Sequence, residues 1–252
     1  MNLLAAALGP IELLACILAV VFIPLILWSF VTSIRVHTTF AKYKKVHSET
    51  GKNAAQVARE ILDARGCYTV EIRHTSGRLS DHYDPKTNCV YLSDSTYSSS
   101  SVAAIAVAAH EVGHAIQYAE EYAPVKVRTA LVPVVNFTSK LSMPLLLIAL
   151  ILEIFAYVGS ISMRLSNLFL LLAILCYAAY CIFTLVTLPT EFNASKRAKD
   201  ILAEDGILTE QEISYASKVL RAAAMTYVVA FAIAAWQMLR LILIFASRRR
   251  RD

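Results

Sequence analysis

The chain has 252 residues, 57% of them hydrophobic and only 17% charged, with a formal net charge of +5. An ordinary water-soluble protein is excluded, because the apolar residues gather in uninterrupted runs near or beyond the length that crosses a bilayer. The composition describes a membrane protein with a substantial polar insert. Much of the positive charge lies in Arg248 to Arg251, directly after an apolar run, the pattern of a membrane flank beside anionic lipid. Nucleic acid is not an expected partner, since no aromatic-interleaved basic face accompanies that cluster. There are five cysteines and no Cys-x-x-Cys pair. Cys16, Cys176 and Cys181 fall in apolar spans, and the two left in the polar part, Cys67 and Cys89, favour a reduced, cytosol-facing domain.

In chain order, the first expected span runs from about Ile11 to Val31, with Pro24 placed to kink it. It lacks a basic start and a small-residue cleavage site, so it reads as an anchor rather than a removed signal peptide. Arg35, Lys42, Lys44 and Lys45 follow at once, which by the positive-inside rule places the N-terminus outside and the next domain in the cytosol. Residues 51–66 predict a short helix, capped by Asn53, with Val57, Ile61 and Leu62 on one face and Gly66 at its stop. "CYTVEIRH" (67–74) and "NCVYLS" (88–93) read as strands, and "LSDHYDPKT" between them as a polar loop. Ser98 to Ser101 can cap the helix that follows.

Residues 121–143, interrupted by Pro124 and Pro133, are expected to skim the membrane surface or pack beneath the polar domain. Two spans, about Pro144–Ile161 and Leu168–Leu188, then form a membrane hairpin. A polar segment returns at 189–218, and a last apolar run occupies about 222–246. The charge signals conflict at the end. Four crossings would put the Arg248 to Arg251 tail outside, against the rule that placed the polar domain inside, and Arg240 lies within the last run.

The chemistry sits in "AVAAHEVGHAIQ" (106–117). His110 and His114 are four apart and project from one face of a helix, a spacing at which two imidazoles bind one Zn²⁺. Glu111, rotated about 100° from His110, reaches a metal-bound water rather than the metal. Zinc lowers the pKa of its water, and the carboxylate takes the proton as hydroxide attacks a polarised carbonyl. The plain alternative is a pair of core histidines. Against it, an anionic Glu on a helix of small apolar residues is expensive to bury without an electrostatic reason.

A catalytic zinc keeps three protein ligands and one open position. The extension His-x-x-Gly-x-x-His fails, because Gln117 and Glu120 occupy the required places. Glu120 and Glu121 are too near on the same helix, Glu153 and Glu12 lie within spans, and His82 and Asp81 are possible neighbours. Glu191 is the preferred third ligand. It opens "TEFNASKRAKDILAEDG", a helix that Thr190 can cap after Pro189, and a two-span hairpin returns the chain to the face it left. Its ordinary role would be a helix-start acid facing the dipole.

"HEVGHAIQ", "LSDHYDP", "LPTEFNASKRA" and "VLRAAAMTYVV", in this order among membrane spans, resemble the YugP-type neutral zinc metallopeptidases of bacteria over nearly the whole chain. The resemblance implies a membrane protease with one zinc ion and leaves its substrate unnamed. More distantly the chain is similar to the HtpX-like membrane gluzincins, in which a Glu on a later helix completes the His pair. This supports Glu191 as a ligand. Those relatives carry an Asp one turn after that Glu, where this chain has Ser195, with Asn193 nearby. The carboxylate that steadies a ligating His is therefore sought in Asp94, Asp81 or Asp200.

Candidate oxyanion donors are Arg197, Arg128, His82 and Tyr83. The strand at 88–93 adjoins the zinc helix in sequence and is the expected edge for holding an extended substrate.

The predicted architecture is mainly α with a small β-hairpin or sheet. It comprises an N-terminal span (1–34), a zincin-like domain (35–143), a membrane hairpin (144–188), a helix bearing the third ligand (189–218) and a C-terminal apolar segment with a basic tail (219–252). The expected function is a membrane-embedded zinc endopeptidase at the cytosolic face of the cell membrane, acting on proteins or peptides, membrane proteins among them. A site-2-type intramembrane protease is the first alternative. It lacks the later Leu-Asp-Gly, and the apolar stretch before His110 is too short to span. A non-catalytic zinc-stabilised scaffold is the second, and Glu111 argues against it, since a structural site has no use for that carboxylate.

Overall fold

The structure, a computed structural model, describes residues 10–157 and 163–248, with side chains for 20–155 and 163–246. The side chains of Glu12, Cys16 and Arg248, the whole of Arg249 to Arg251, and Ile161 at the end of the expected second span lie outside the described set. In chain order the elements are α1 (Pro10–Tyr43), α2 (Ala54–Ala64), β1 (Glu71–Thr75), β2 (His82–Asp84), β3 (Cys89–Ser93), α3 (Val102–Ala119), α4 (Ala123–Tyr157), α5 (Met163–Glu204) and α6 (Glu210–Arg248). The expectation of a mainly α chain with a small sheet is met.

Contacts divide the chain into two units. One comprises residues 1–30, 128–186 and 229–252, the other residues 31–127 and 187–228. In the first, large apolar side chains point outward: Phe30, Phe137, Ile154 and Leu175 are all more than half exposed. Such a surface is unstable in water and at home in hydrocarbon. Within it Ala149, Leu170, Ile174 and Leu241 form a small buried cluster, and Ser166 Oγ donates 2.9 Å to the Ala149 carbonyl. Helices α1, α4, α5 and α6 are each long and apolar enough to cross a membrane.

Four segments are more regular than the sequence suggested. Residues 123–143 do not form a broken surface segment, because α4 runs unbroken from Ala123 through Pro133 and Pro144. Likewise α5 passes through Pro189, so Thr190 lies inside a 42-residue helix rather than capping a new one. Each proline removes one backbone bond, a loss that helices of membrane proteins commonly absorb. α1 likewise continues through Pro24. The polar loop between the expected strands also contains a strand, β2, three residues long and stopped by Pro85.

The second unit is a conventional core. α2 is closed by a capping box in which the Asn53 side chain accepts from the Gln56 N–H and the Gln56 side chain accepts from the Asn53 N–H, both at 2.9 Å. Its apolar face (Val57, Ala58, Ile61, Leu62) packs with Val90 and Leu92 of β3 and with Val102 and Ile105 of α3, all buried. β3 is the central strand, parallel to β1 and antiparallel to β2. The strand at 88–93 thus has neighbours on both sides and no free edge. The outer strands are β1 and β2, and it is β2 that is tied to α3 beside the His pair. Ser101 caps α3, accepting 3.3 Å from the Ala104 N–H. The α3 entry is bound to the turn after α1 by the Val102 N–H donating 2.9 Å to the Val46 carbonyl.

Candidate metal centre

Small residues let α3 lie against other elements on nearly every side. Ala103, Ala104, Ala106, Ala108 and Ala109 are all buried. At Gly113 the approach is closest: a Cβ there would stand 2.9 Å from the Ala194 carbonyl oxygen of α5. That crossing sets Glu191, one turn before Ala194, beside both imidazoles. His110 Nε2 lies 3.2 Å and His114 Nε2 3.5 Å from the same oxygen, Glu191 Oε2. The Glu191 side chain is 2% exposed, so a carboxylate is buried with two imidazoles as its partners.

One ligand atom from each of His110, His114 and Glu191 falls within 4.8 Å of the other two. Four-coordinate zinc with bonds of about 2.0–2.1 Å separates neighbouring ligand atoms by about 3.3–3.4 Å. The two His–Glu distances bracket that value, so Glu191 stands at zinc-ligand spacing from each imidazole. In the metal-free arrangement burial works against a charged His114, but the hydrogen bond its ring N–H donates to Glu191 and the charges of Glu191 and Glu111 outweigh it and raise the pKa of His114.

The outward nitrogens of both rings are held. Ser195 Oγ is 3.2 Å from His110 Nδ1, and Gln117 Oε1 is 3.0 Å from His114 Nδ1. Gln117 Nε2 donates 2.8 Å to the Thr190 carbonyl and 2.9 Å to Asn193 Oδ1. With its amide so oriented, Gln117 accepts from His114 Nδ1–H, so that once the ring is neutral the lone pair lies on Nε2, the nitrogen on the Glu191 side. Neutral oxygens therefore take the places where a carboxylate was sought. Asp94 bonds His74 and the Gly77 N–H instead, Asp81 bonds Ser93, and Asp200 pairs with Lys199.

Glu111 is buried on the neighbouring face of α3. Its Oε2 accepts 3.1 Å from the main-chain N–H of Tyr83 on β2, which leaves the other carboxylate oxygen for a water. The Tyr83 phenol points elsewhere, donating 2.9 Å to Asn88 Oδ1, and burial first, with neighbouring anions, raises its pKa to about 12. Tyr83 thus reaches the centre through its backbone. His82 does not reach it: its ring stacks on Tyr91 at 4.9 Å and its Nδ1 lies 2.9 Å from the Ser80 carbonyl. Arg197 stands one layer back. Its Nε donates 2.7 Å to Asn193 Oδ1 and a terminal nitrogen pairs with Glu120 at 2.6 Å, so it orients the Asn193–Gln117–His114 chain. Arg128 and Glu153 belong to the other unit, and Glu121 pairs with Lys126.

Beside His110 and Glu111 opens a pocket of about 190 Å³, walled mainly by apolar residues, among them Val36 and Phe40 of α1, Leu79, Val107 of α3 and Val219 of α6, with Asp81 and Tyr227 as its other polar members. Sequence reasoning did not find this pocket, nor the roles of Gln117 and Ser195, whereas Gly113 was expected among the small residues that admit a close neighbour. The only signals were the departure at Ser195 and a Gln one turn after His114.

Residues 18–246 match the family described as "Putative neutral zinc metallopeptidase", and the chain belongs to it. Within that class it is 40% identical, over 221 residues, to the "Putative membrane protease YugP" of Bacillus subtilis (strain 168), covering 88% of this chain and 93% of the relative. No solved structure matches the chain. The resemblance read from the motifs is borne out.

Proposed function

We propose that the chain is a membrane-bound zinc endopeptidase that hydrolyses peptide bonds of protein substrates. The observation that carries this reading is the placement of Glu111 next to three groups of zinc-ligand type that converge on one point. His110, His114 and Glu191 hold the metal. A bound zinc ion would supply Lewis-acid polarisation of the scissile carbonyl and a water that ionises near neutral pH. Glu111, fixed at one oxygen by the Tyr83 N–H, takes the proton of the attacking water at its other oxygen and passes it to the leaving amine. Ser195 and Gln117 hold both imidazoles in the tautomer that binds metal. The pocket beside Glu111 accepts an apolar side chain next to the cleaved bond. Arg35, Lys42, Lys44 and Lys45, directly after the first apolar run, support a cytosolic position for the site and a cell-membrane location.

The test is Glu111→Gln in full-length protein in nanodiscs, assayed on an unfolded protein substrate. Cleavage is expected to fall by roughly 10²–10⁴-fold, the usual contribution of general acid–base catalysis, while zinc content stays at one per chain. Undiminished cleavage would refute the role of Glu111. Bound zinc with no cleavage by the wild type would favour the scaffold reading instead.

A further inference from the structure

A second pocket, of about 300 Å³, lies between α1 and α6 and is lined by Arg35, Thr39, Lys42 and Tyr43 from α1 and by Lys218 and Arg221 from α6, among others. The α1 residues recur at spacings of four, three and one, and the α6 pair at three, so each helix turns one cationic face to the same space. Arg35, Lys42, Lys218 and Arg221 are all exposed. Among the described residues none of the four makes an ion pair, although Lys52, Arg59, Arg65, Arg73, Lys126 and Arg197 elsewhere in the same unit do. No acid lines the pocket.

Four cations facing one cavity without a counter-charge repel one another, and such an arrangement selects an anion. Aromatic rings hold two of them in place. Tyr43 and Tyr215 stack with centroids 5.0 Å apart, and Lys218 Nζ sits 5.9 Å and 5.5 Å from their centres, with Lys42 Nζ 5.3 Å from Tyr43. The floor is apolar, with buried Ala222 and half-buried Met225.

The level of the pocket along both helices narrows the choice of anion. On α1 the exposed apolar series Ile23, Ile26, Leu27, Phe30 and Ile34 ends one residue before Arg35. On α6 the apolar stretch begins at Ala222, one residue after Arg221. Both helices therefore carry their cations where the chain leaves hydrocarbon, the depth of phospholipid headgroups. We propose that this pocket binds the phosphate of an anionic phospholipid, with Arg35, Lys42, Lys218 and Arg221 on the headgroup and Ala222 and Met225 against the start of an acyl chain. The proposal is independent of the peptidase reading.

The experiment measures lipid retained by full-length protein in mild detergent, by native mass spectrometry, with phosphatidylglycerol and phosphatidylcholine offered in equal amounts. Preferential retention of phosphatidylglycerol is expected. Lys218→Gln with Arg221→Gln should lower that preference at least tenfold, whereas Lys218→Arg with Arg221→Lys should keep it, which separates charge loss from misfolding. Lys44→Gln with Lys45→Gln, next to the pocket in sequence but outside its lining, should leave it unchanged. Equal retention of both lipids, or an equal loss in the Lys44/Lys45 variant, would overturn the proposal. So would displacement of the lipid by millimolar inorganic phosphate or by an acidic peptide, since either would mean that the acyl chain plays no part.

Discussion

The two units of this chain obey opposite rules about polarity. Around α3, Glu111, His114, Gln117, Thr190 and Glu191 are buried, and the side chains are joined in one hydrogen-bonded chain from Glu120 and Arg197 through Asn193 and Gln117 to His114. In the membrane-helix unit the large apolar residues face outward, with Phe137 66% and Leu175 59% exposed. The unit around α3 keeps charge inside by giving its buried charges partners. The membrane-helix unit places grease outside, an arrangement suited to lipid as solvent. The contrast shows where a substitution should matter: by what it leaves unpartnered in one unit, and hardly at all on the outer face of the other.

The largest effect should come from Glu191→Ala, which removes the carboxylate both imidazoles face. Zinc affinity should drop by well over 100-fold, since losing even an outer partner of a ligand costs about 10–100-fold. Competition with a chromophoric chelator would measure it. A variant that keeps wild-type affinity would separate the polar chain from metal binding and break the comparison.

Gln117→Ala should lower zinc affinity by about 10–100-fold without unfolding the protein, because it unseats His114 while leaving all three ligands in place. Adding Asn193→Ala should cost little more, as both act along one chain.

The pH dependence follows from His114. Its pKa is raised in the metal-free protein, so the proton it holds is fully bound below the ordinary imidazole range and released as pH rises through the higher value. Zinc must displace that proton. Affinity should therefore fall by about tenfold per pH unit on the acid side, and the fall should begin at a higher pH than for an unperturbed imidazole. Titration of zinc affinity against pH checks both the slope and its onset.

The smallest effect belongs to the other unit. Leu175→Ala, on an outward face, should change stability in lipid by no more than about 0.6 kcal/mol and leave zinc affinity untouched, as thermal melts in nanodiscs would show.

The sequence exposed the contrast unevenly. His110, Glu111 and His114 could be read because their relation is local, four residues on one helix. Glu191 lies 81 residues from His110, and only the expected membrane hairpin and the family resemblance brought it forward. Gln117 escaped because what matters is its bond to Thr190 and Asn193 on another helix, which no local pattern encodes. Gly113 looked like one small residue among many, and its need appears only where Ala194 approaches. The prolines misled for a related reason. Proline rules describe helices in water, whereas α4 and α5 continue through Pro133, Pro144 and Pro189. β2 was hidden by its length of three residues, and without it β3 looked like an edge.

The central claim is that two imidazoles and one distant carboxylate hold the metal. Zinc K-edge X-ray absorption of the zinc-loaded, full-length protein tests it most directly. The account predicts two imidazole nitrogens and carboxylate oxygen at about 2.0–2.2 Å, and loss of the carboxylate contribution in Glu191→Ala. A sulfur shell near 2.3 Å, or a spectrum that Glu191→Ala leaves unchanged, would contradict it.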